Sequence, residues 1–249
     1  MKKRSKASPK FVVIDTSSPA NEEAVQPVIK NDAPTYSKEE LNKRGIIHPS
    51  MKDVAVLNAF RNLRTSMLPR MESYNTTLLV SSVVRGGGAS FNAINIATAF
   101  TLDRQRTALL VDCNFHRPTL DRTLNVDTQL GLYDYLTGQT NDIAKIIYPT
   151  LVPRLRLVPC GKISEEDQSE FFTGERMRDF LKEVKNRYPD RIVMLDSPPV
   201  LDSADTTILS ELVDYALLVI PYQGANASKV EKAIKAIGEN KIVGFVMNK

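Results

Sequence analysis

A glycine-rich stretch, Ser81 to Ser90, has the residue types that bind phosphate groups. An apolar β-branched run precedes it and a run of helical length follows it, so the order strand, loop and helix is predicted. The backbone N–H groups of such a loop and the helix N-terminus bind phosphate oxygens. The residues predicted to bind phosphate are Arg85, Gly86, Gly87, Gly88 and Ser90.

The loop departs from the phosphate-binding motif G-x-x-x-x-G-K-[ST] at its lysine. Gly88 and Ser90 fit the motif, but Ala89 occupies the lysine position and Val83 replaces the first glycine. Because that lysine would contact the β- and γ-phosphates, its absence predicts weakened catalysis. Arg85 is the candidate substitute for the missing positive charge.

Two aspartates, Asp112 and Asp196, follow apolar strand-like runs. Ligands of parallel sheets bind at the carboxyl ends of the strands, where carboxylates hold Mg²⁺ together with a loop hydroxyl. Ser90, Asp112 and Asp196 are therefore the predicted metal ligands. Taken singly, a glycine loop is often only a turn and an aspartate after a strand is often a helix cap. Together, in this order, the signals are more specific.

Six strand-like runs position these residues, and helical runs separate most of them. The strands are predicted over 77–82, 107–112, 155–159, 191–196, 215–220 and 242–247. The helices of this part are predicted over 92–102, 177–184, 204–213 and 228–238. Apolar strands alternating with helices predict an α/β fold with a doubly wound, mostly parallel sheet covered on both faces.

The first 50 residues are rich in Pro, Ser, Asn, Lys and Glu and predict a flexible, mostly disordered tail. Within it, Ser37 followed by two glutamates predicts a short helix over 37–44. The chain is thus divided into a tail, residues 1–50, and an α/β domain, residues 51–249.

An amphipathic helix is predicted over 51–68, at the start of that domain. Its apolar residues recur at helical spacing: Val56, Phe60, Leu63 and Met67. Asn58, Arg61 and Arg64 are neighbours on another face, and Pro69 should end the helix.

Composition excludes several classes of protein. The chain has 249 residues, of which 42% are hydrophobic and 25% charged, with a net charge of +4. Apart from Lys2-Lys3-Arg4, the basic residues are spread along the chain, so no nucleic-acid partner is expected. No apolar run reaches the ~18 residues that span a bilayer, and a cytoplasmic location is predicted. Cys113 and Cys160 lack the spacing of metal ligands and are expected to be reduced, buried thiols.

The chain from Asn58 to Lys249 also resembles a known family in seven segments. They are residues 59–65, 88–90, 112–120, 131–138, 196–201, 213–219 and 243–248. These resemble the cytoplasmic kinase domain of the bacterial tyrosine kinases (BY-kinases) of capsular and exopolysaccharide synthesis. That family belongs to the deviant P-loop ATPases, a group that includes partitioning ATPases. Residues 41–47 with Pro49 also resemble the leader of exosortase-linked autokinases.

The resemblance implies roles for further residues. It implies a P-loop NTPase-like fold, ATP or ADP with Mg²⁺ as cofactor, and a catalytic or metal-binding role for Asp112. Asn248 stands where the family contacts adenine. Asn58, Arg61 and Arg64 stand where the family has its E-x-x-R-x-x-R subunit contact, with Asn58 in place of the glutamate.

Two departures from the family fall on its chemistry. Ala89 replaces the lysine, and Asn114 replaces the second aspartate of D-x-D, so both catalytic positions are degenerate. His116 occupies the following arginine position, with Arg117 beside it. The family's C-terminal tyrosine cluster is absent, since the last tyrosine is Tyr222.

These departures predict a pseudokinase that acts as a regulatory or scaffold component of exopolysaccharide assembly and binds nucleotide weakly. The partners implied are a membrane chain-length-determinant protein and, in an oligomer, an active kinase paralogue or a second copy of the chain. The membrane protein would hold the chain at the inner face of the inner membrane. One alternative is an active kinase or ATPase that uses a non-standard loop. Another is a partitioning-type ATPase that positions cargo.

Overall fold

The computed structural model describes residues 37–71, 73, 75–163 and 171–249. The predicted tail over residues 1–36, with its basic start, lies outside the described residues. Among the described residues, no helix has both the length and the apolar character that crossing a bilayer requires.

A seven-stranded sheet forms the centre of the domain. Its strands are β1 (Thr77–Ser82), β2 (Thr107–Asp112), β3 (Tyr148–Pro149), β4 (Leu155–Val158), β5 (Arg191–Asp196), β6 (Tyr215–Pro221) and β7 (Ile242–Asn248). The order in the sheet is β3-β4-β2-β5-β1-β6-β7. All neighbouring strands are parallel except β3, which runs antiparallel to β4. The predicted mostly parallel sheet is therefore confirmed.

The α-helices of the described residues are α1 (Lys38–Lys43), α2 (Val54–Met67), α3 (Ala89–Thr101), α4 (Leu120–Thr123), α5 (Leu132–Leu136), α6 (Glu175–Arg187), α7 (Ala204–Leu212) and α8 (Ala227–Ile237). The first turn of α3 begins directly at the glycine loop, three residues before the predicted start. The prediction rested on the length of the run and its lack of helix-breaking residues, whereas the start of α3 follows directly on Gly88, its N-cap.

The sheet is covered on both faces, as its apolar strands require. Alternate residues of β1 point to opposite sides: Leu78 and Val80 pack with residues of α2 and α3, and Leu79 packs with residues of α5, α6 and α7. The helices thus bury both faces of the sheet and leave the carboxyl ends of its strands accessible.

Residues 37–50, which the sequence assigned to the flexible tail, pack on the domain in the structure. Ser37 caps α1 by accepting a hydrogen bond from the N–H of Glu40. Ile46 and Ile47 are each 1% exposed and belong to the same core cluster as α2 and α3. Residues 37–50 thus contact the α/β domain through two buried isoleucines, and the division of the chain at residue 50 stays a prediction.

Asn95 of α3 holds that segment in place. Its side-chain oxygen accepts a hydrogen bond from the N–H of Ile47 at 2.8 Å, and its amide donates to the carbonyl of Gly45 at 3.1 Å. Asn95 and Ile47 are buried, so the bond between them satisfies polar groups that have no access to water, whereas Gly45 is exposed.

The amphipathic helix α2 is confirmed, and Pro69 lies in the 3₁₀ turn that follows its last residue, Met67. One residue of the predicted apolar face is not buried. Val56 is 37% exposed, and Leu57 is buried in its place. Helical spacing shows which face of a helix is apolar, but it does not show which residues of that face the rest of the domain buries.

Candidate functional site

The glycine loop joins β1 to α3 and has the backbone conformation of a phosphate-binding loop. Gly86 and Gly88 have φ angles of 75° and 83°, which glycine adopts without strain. Gly87 has no room for a side chain, since a Cβ there would lie 2.6 Å from the Cβ of Ser82. The N–H of Gly87 donates to the carbonyl of Val84 at 3.3 Å within the loop, and the N-terminal turn of α3, a potential anion site, follows directly at Ala89.

Ala89 is the first residue of α3 and lines the same cleft as the loop. A lysine at this place would bring an ammonium group into the cleft, and the methyl group of alanine brings none. Arg85 also lines the cleft, but its side chain is 68% exposed and its Nε lies 3.9 Å from Oδ2 of Asp202. Arg85 is thus close enough to Asp202 to form an ion pair with it.

Asp196 is the last residue of β5, and both oxygens of its side chain are buried. Among the described residues, neither oxygen has a hydrogen-bond partner. Burial raises the pKa of Asp196 well above its usual range and Asp112 raises that pKa further, while the Ser90 hydroxyl, which lies nearby without forming a hydrogen bond of regular geometry, lowers it in part. A carboxylate in this situation needs a proton or a cation. The oxygens of Asp196 and Ser90 are of the type that Mg²⁺ prefers, so the residues present fit that ion.

Asp112 lies opposite Asp196 in the register of β2 and β5. Its carboxylate accepts hydrogen bonds from the N–H groups of Asn114, Thr119 and Leu120 at 3.1 to 3.3 Å. Burial raises the pKa of Asp112 to about 7 although these hydrogen bonds lower it. Asp112 therefore also has the capping role that an aspartate after a strand commonly takes, and it adds a second carboxyl group beside Asp196.

The turn after β2 forms the other wall of the cleft. Asn114 lines the cleft, and its side-chain oxygen accepts a hydrogen bond from the N–H of Arg117 at 3.3 Å. His116 and Arg117 also line this wall, and Nε2 of His116 lies 3.4 Å from Oδ2 of Asp205. An amide thus occupies the place of the second carboxylate.

These walls enclose a cleft of about 590 Å³. Of the residues predicted to bind nucleotide or to take part in catalysis, it is lined by Arg85, Gly86, Gly87, Gly88, Ala89, Ser90 and Asn114. Asp112 and Asp196 are buried beside these residues but do not line the cleft. The sequence reasoning missed Phe91, Asp202 and Ser203 as lining residues. Ser197, Pro198 and Pro199 form the floor of the cleft, and the sequence analysis used them only for the resemblance.

Asn248, the last residue of β7, lies against the glycine loop. Its amide donates a hydrogen bond to the carbonyl of Gly87 at 3.2 Å, and the same nitrogen fills the space where Gly88 would carry a Cβ. The structure thus brings Asn248 to the loop but not into the lining of the cleft. Its predicted contact with adenine stays a prediction.

The three residues predicted to contact another subunit lie on α2, outside the cleft lining. Asn58 is exposed and Arg61 is half-buried. Arg64 is used within the chain, since its Nη1 donates a hydrogen bond to the carbonyl of Ala99 on α3 at 2.8 Å.

No protein-family model matches the chain. Among curated proteins, the tyrosine-protein kinase Wzc of Salmonella typhi is 28% identical over 199 residues, which cover 79% of this chain and 27% of that protein. The putative tyrosine-protein kinase CapB of Staphylococcus aureus is 26% identical over 208 residues, 82% of this chain and 88% of that protein. The chain thus spans about a quarter of the length of Wzc.

Solved structures share the fold. The kinase domain of the Escherichia coli tyrosine kinase ETK superposes with a TM-score of 0.71 at 23% identity, over 84% of this chain and 86% of that chain. The cell division ATPase MinD of Pyrococcus furiosus has a TM-score of 0.59 at 24% identity, over 70% and 72%. The chain is therefore similar in sequence to bacterial tyrosine-protein kinases and has the P-loop ATPase-like fold of their kinase domains, as its motifs predicted.

Proposed function

We propose that this chain is a pseudokinase: a relative of bacterial tyrosine kinases that binds nucleotide weakly and acts as a regulatory or scaffold component of exopolysaccharide assembly. The observation that carries this proposal is a phosphate-binding loop of intact backbone shape whose lysine position is Ala89. The proposal separates binding, which needs the loop, from phosphoryl transfer, which needs charge at fixed places.

Phosphoryl transfer depends almost wholly on positioning and on stabilisation of charge. Losing one preorganised donor to the transition state lowers the rate by about 10²–10³ in a typical enzyme. Here the positive charge at position 89 and the carboxylate at position 114 are both missing. Asn114 cannot accept a proton from a tyrosine hydroxyl at neutral pH. Although such losses do not simply multiply, turnover near background follows.

Nucleotide binding is affected less. Gly86 and Gly88 keep the positive φ angles of the loop, and the buried carboxylate of Asp196 with the hydroxyl of Ser90 fits Mg²⁺. When bound, that ion would neutralise phosphate charge. A hydrogen bond to a charged group contributes ~1.5–3 kcal/mol, so the missing lysine weakens binding by about one to two factors of ten without abolishing it.

The partners are those that the resemblance to kinases of capsular and exopolysaccharide synthesis implies, and one relative is named as a putative tyrosine-protein kinase in a cps region. The chain would bind the cytoplasmic end of a membrane chain-length-determinant protein and would lie at the inner face of the membrane through it. Asn58 and Arg61, exposed and half-buried on α2, are available to contact an active kinase paralogue or a second copy. Nucleic acid is not expected as a partner.

The test of the kinase part uses the purified protein with radiolabelled ATP, Mg²⁺ and a tyrosine-containing acceptor. Label transfer and phosphate release should be close to those of the Asp196→Ala variant. Turnover well above that of Asp196→Ala would overturn the pseudokinase proposal. In a separate calorimetric titration with ADP–Mg²⁺, the absence of heat at millimolar nucleotide would leave only the scaffold role.

A second candidate function is a kinase or ATPase with a non-standard positive charge. The arginines in the cleft lining favour it, since they are cations near a loop that lacks its lysine. The same assay distinguishes the two candidates: turnover that depends on Asp196 supports the enzyme, and turnover at background supports the pseudokinase.

A further inference from the structure

Three side chains in the cleft lining carry or can carry positive charge: Arg85, His116 and Arg117. The first two have an acidic partner. Nε of Arg85 lies 3.9 Å from Asp202, and Nε2 of His116 lies 3.4 Å from Asp205. For Arg117, the structure gives a hydrogen bond of the backbone N–H but no hydrogen bond or ion pair of the guanidinium with any described residue.

The order of the strands places Arg117 across from the glycine loop. The loop follows β1 and Arg117 follows β2, while β5 lies between these two strands. Neighbouring strands are about 4.8 Å apart, so the two walls are separated by roughly 10 Å. Ser197–Pro199, which follows β5, forms the floor between them. An anion held by the loop N–H groups would therefore lie over the end of β5 and within reach of a long side chain from the opposite wall.

The backbone of Arg117 is held by hydrogen bonds, whereas its guanidinium has no partner among the described residues. Its N–H donates to the backbone carbonyl of Asn114 at 3.0 Å and to the side-chain oxygen of Asn114 at 3.3 Å. Pro118 follows and restricts the backbone further. A guanidinium on such a turn presents two parallel donors, the geometry that matches a phosphate group.

We propose that Arg117 binds the terminal phosphate of a nucleoside di- or triphosphate and supplies, from the opposite wall, the positive charge that Ala89 lacks. This inference rests on the nucleotide binding proposed above. Both arginines are exposed, and the charge is assigned to Arg117 rather than to Arg85 because Arg85 already faces Asp202.

The test is a calorimetric titration of the full chain with ADP–Mg²⁺ and, separately, with AMP. Arg117→Ala should weaken ADP binding by about 10- to 100-fold, as expected for the loss of a charge-assisted hydrogen bond. It should change AMP binding much less, because AMP has no terminal phosphate beyond the first. Arg117→Lys should recover part of the loss, since it keeps the charge but not the paired donors.

Arg104→Ala is the matched control. It removes the same charge from an exposed residue just before β2, at the other end of that strand. ADP affinity that is unchanged in Arg117→Ala, or reduced equally by Arg104→Ala, would overturn the assignment. If Asp196→Ala then abolishes binding, the nucleotide site stands and only the role of Arg117 fails. If the wild-type chain binds no ADP at millimolar concentration, the nucleotide-binding part of the proposed function and the role of Arg117 both fail, and only the scaffold role is left.

Discussion

Asp112 and Asp196 lie side by side at the ends of β2 and β5, and both carboxyl groups are buried. The hydrogen bonds of the two differ. Asp112 accepts three from backbone N–H groups, whereas neither side-chain oxygen of Asp196 has a partner among the described residues. The pair therefore favours either a proton or a cation between the two strands. The pH dependence of the free energy of unfolding, with and without Mg²⁺, should distinguish the two.

Without divalent metal, the free energy of unfolding should fall as pH rises from about 4 to about 7. The unfolded chain releases the proton of an aspartate near pH ~3.9, whereas the pKa of folded Asp112 is about 7. Over that window the folded state binds more protons, so one group lowers stability by up to ~1.4 kcal/mol per pH unit. Urea unfolding at pH 5, 6 and 7 with EDTA measures this slope.

The control for that slope is Asp196→Asn, which removes one of the two coupled carboxyl groups. Its slope should be shallower than that of the wild type, and Mg²⁺ should make the wild-type slope shallower as well. Equal slopes in the wild type and Asp196→Asn, with and without Mg²⁺, would contradict a role for this pair.

Restoring the two degenerate positions should increase turnover. The double variant Ala89→Lys with Asn114→Asp returns a positive charge to the first turn of α3 and a carboxylate to the turn after β2. Each group is of a kind that contributes about 10²–10³ in rate where it is preorganised. Label transfer from ATP should therefore rise by at least about 10²-fold over the wild type. Ala89→Met, of similar length but uncharged, is the control, and an equal rise in that variant would exclude the charge as the cause.

Replacing Gly88 should cost more stability than replacing Gly86. Both glycines have positive φ, so alanine at either position costs roughly 1–2 kcal/mol of backbone strain. A Cβ at Gly86 meets nothing within 4 Å, whereas a Cβ at Gly88 overlaps the side-chain amide of Asn248. Urea unfolding of Gly86→Ala, Gly88→Ala and Gly88→Ala with Asn248→Ala should show the extra cost at Gly88 relieved in the double variant. No coupling between positions 88 and 248 would contradict the contact.

Truncating Asn95 should release the segment before α2. Asn95→Ala leaves the buried N–H of Ile47 without its partner, at a cost of ~1–3 kcal/mol, and removes the hydrogen bond to the carbonyl of Gly45. Limited proteolysis should then cut within residues 37–50 at a protease concentration that leaves the wild type intact. Thr65→Ala, on the exposed face of α2, should behave like the wild type. Resistance of Asn95→Ala equal to that of the wild type would show that the apolar contacts alone hold the segment.

Local pattern was sufficient for most of the sheet. β1, β2 and β5 end where their apolar runs end, because a central parallel strand buries every residue. The two-residue β3 and the short helix α5 carry too few residues for a periodic signal, and contacts with distant segments form them. The N–H groups of Leu132 and Tyr133, for example, bond to the carbonyls of Pro159 and Cys160.

The residues of the site could be predicted from the sequence, but the contacts between their side chains could not. The glycines, Ala89 and the two aspartates were found from motif and strand position alone. That Asp112 caps the turn after its own strand, that Asn248 lies on the loop, and that Arg85 faces Asp202 depend on side-chain directions. Side-chain directions depend on contacts with residues that are distant in sequence, and the spacing of residues along the chain carries no information on those contacts.

The segment before α2 ends against the helix that begins at the loop. Gly45 lies so close to Phe91 that a Cβ there would be 3.1 Å from the ring, and Phe91 directly follows Ser90. Asn95, one turn further along α3, binds the same segment. The helix that residues 45–47 pack against is thus the helix whose first residues, Ala89, Ser90 and Phe91, line the cleft, so one element serves both the segment and the site.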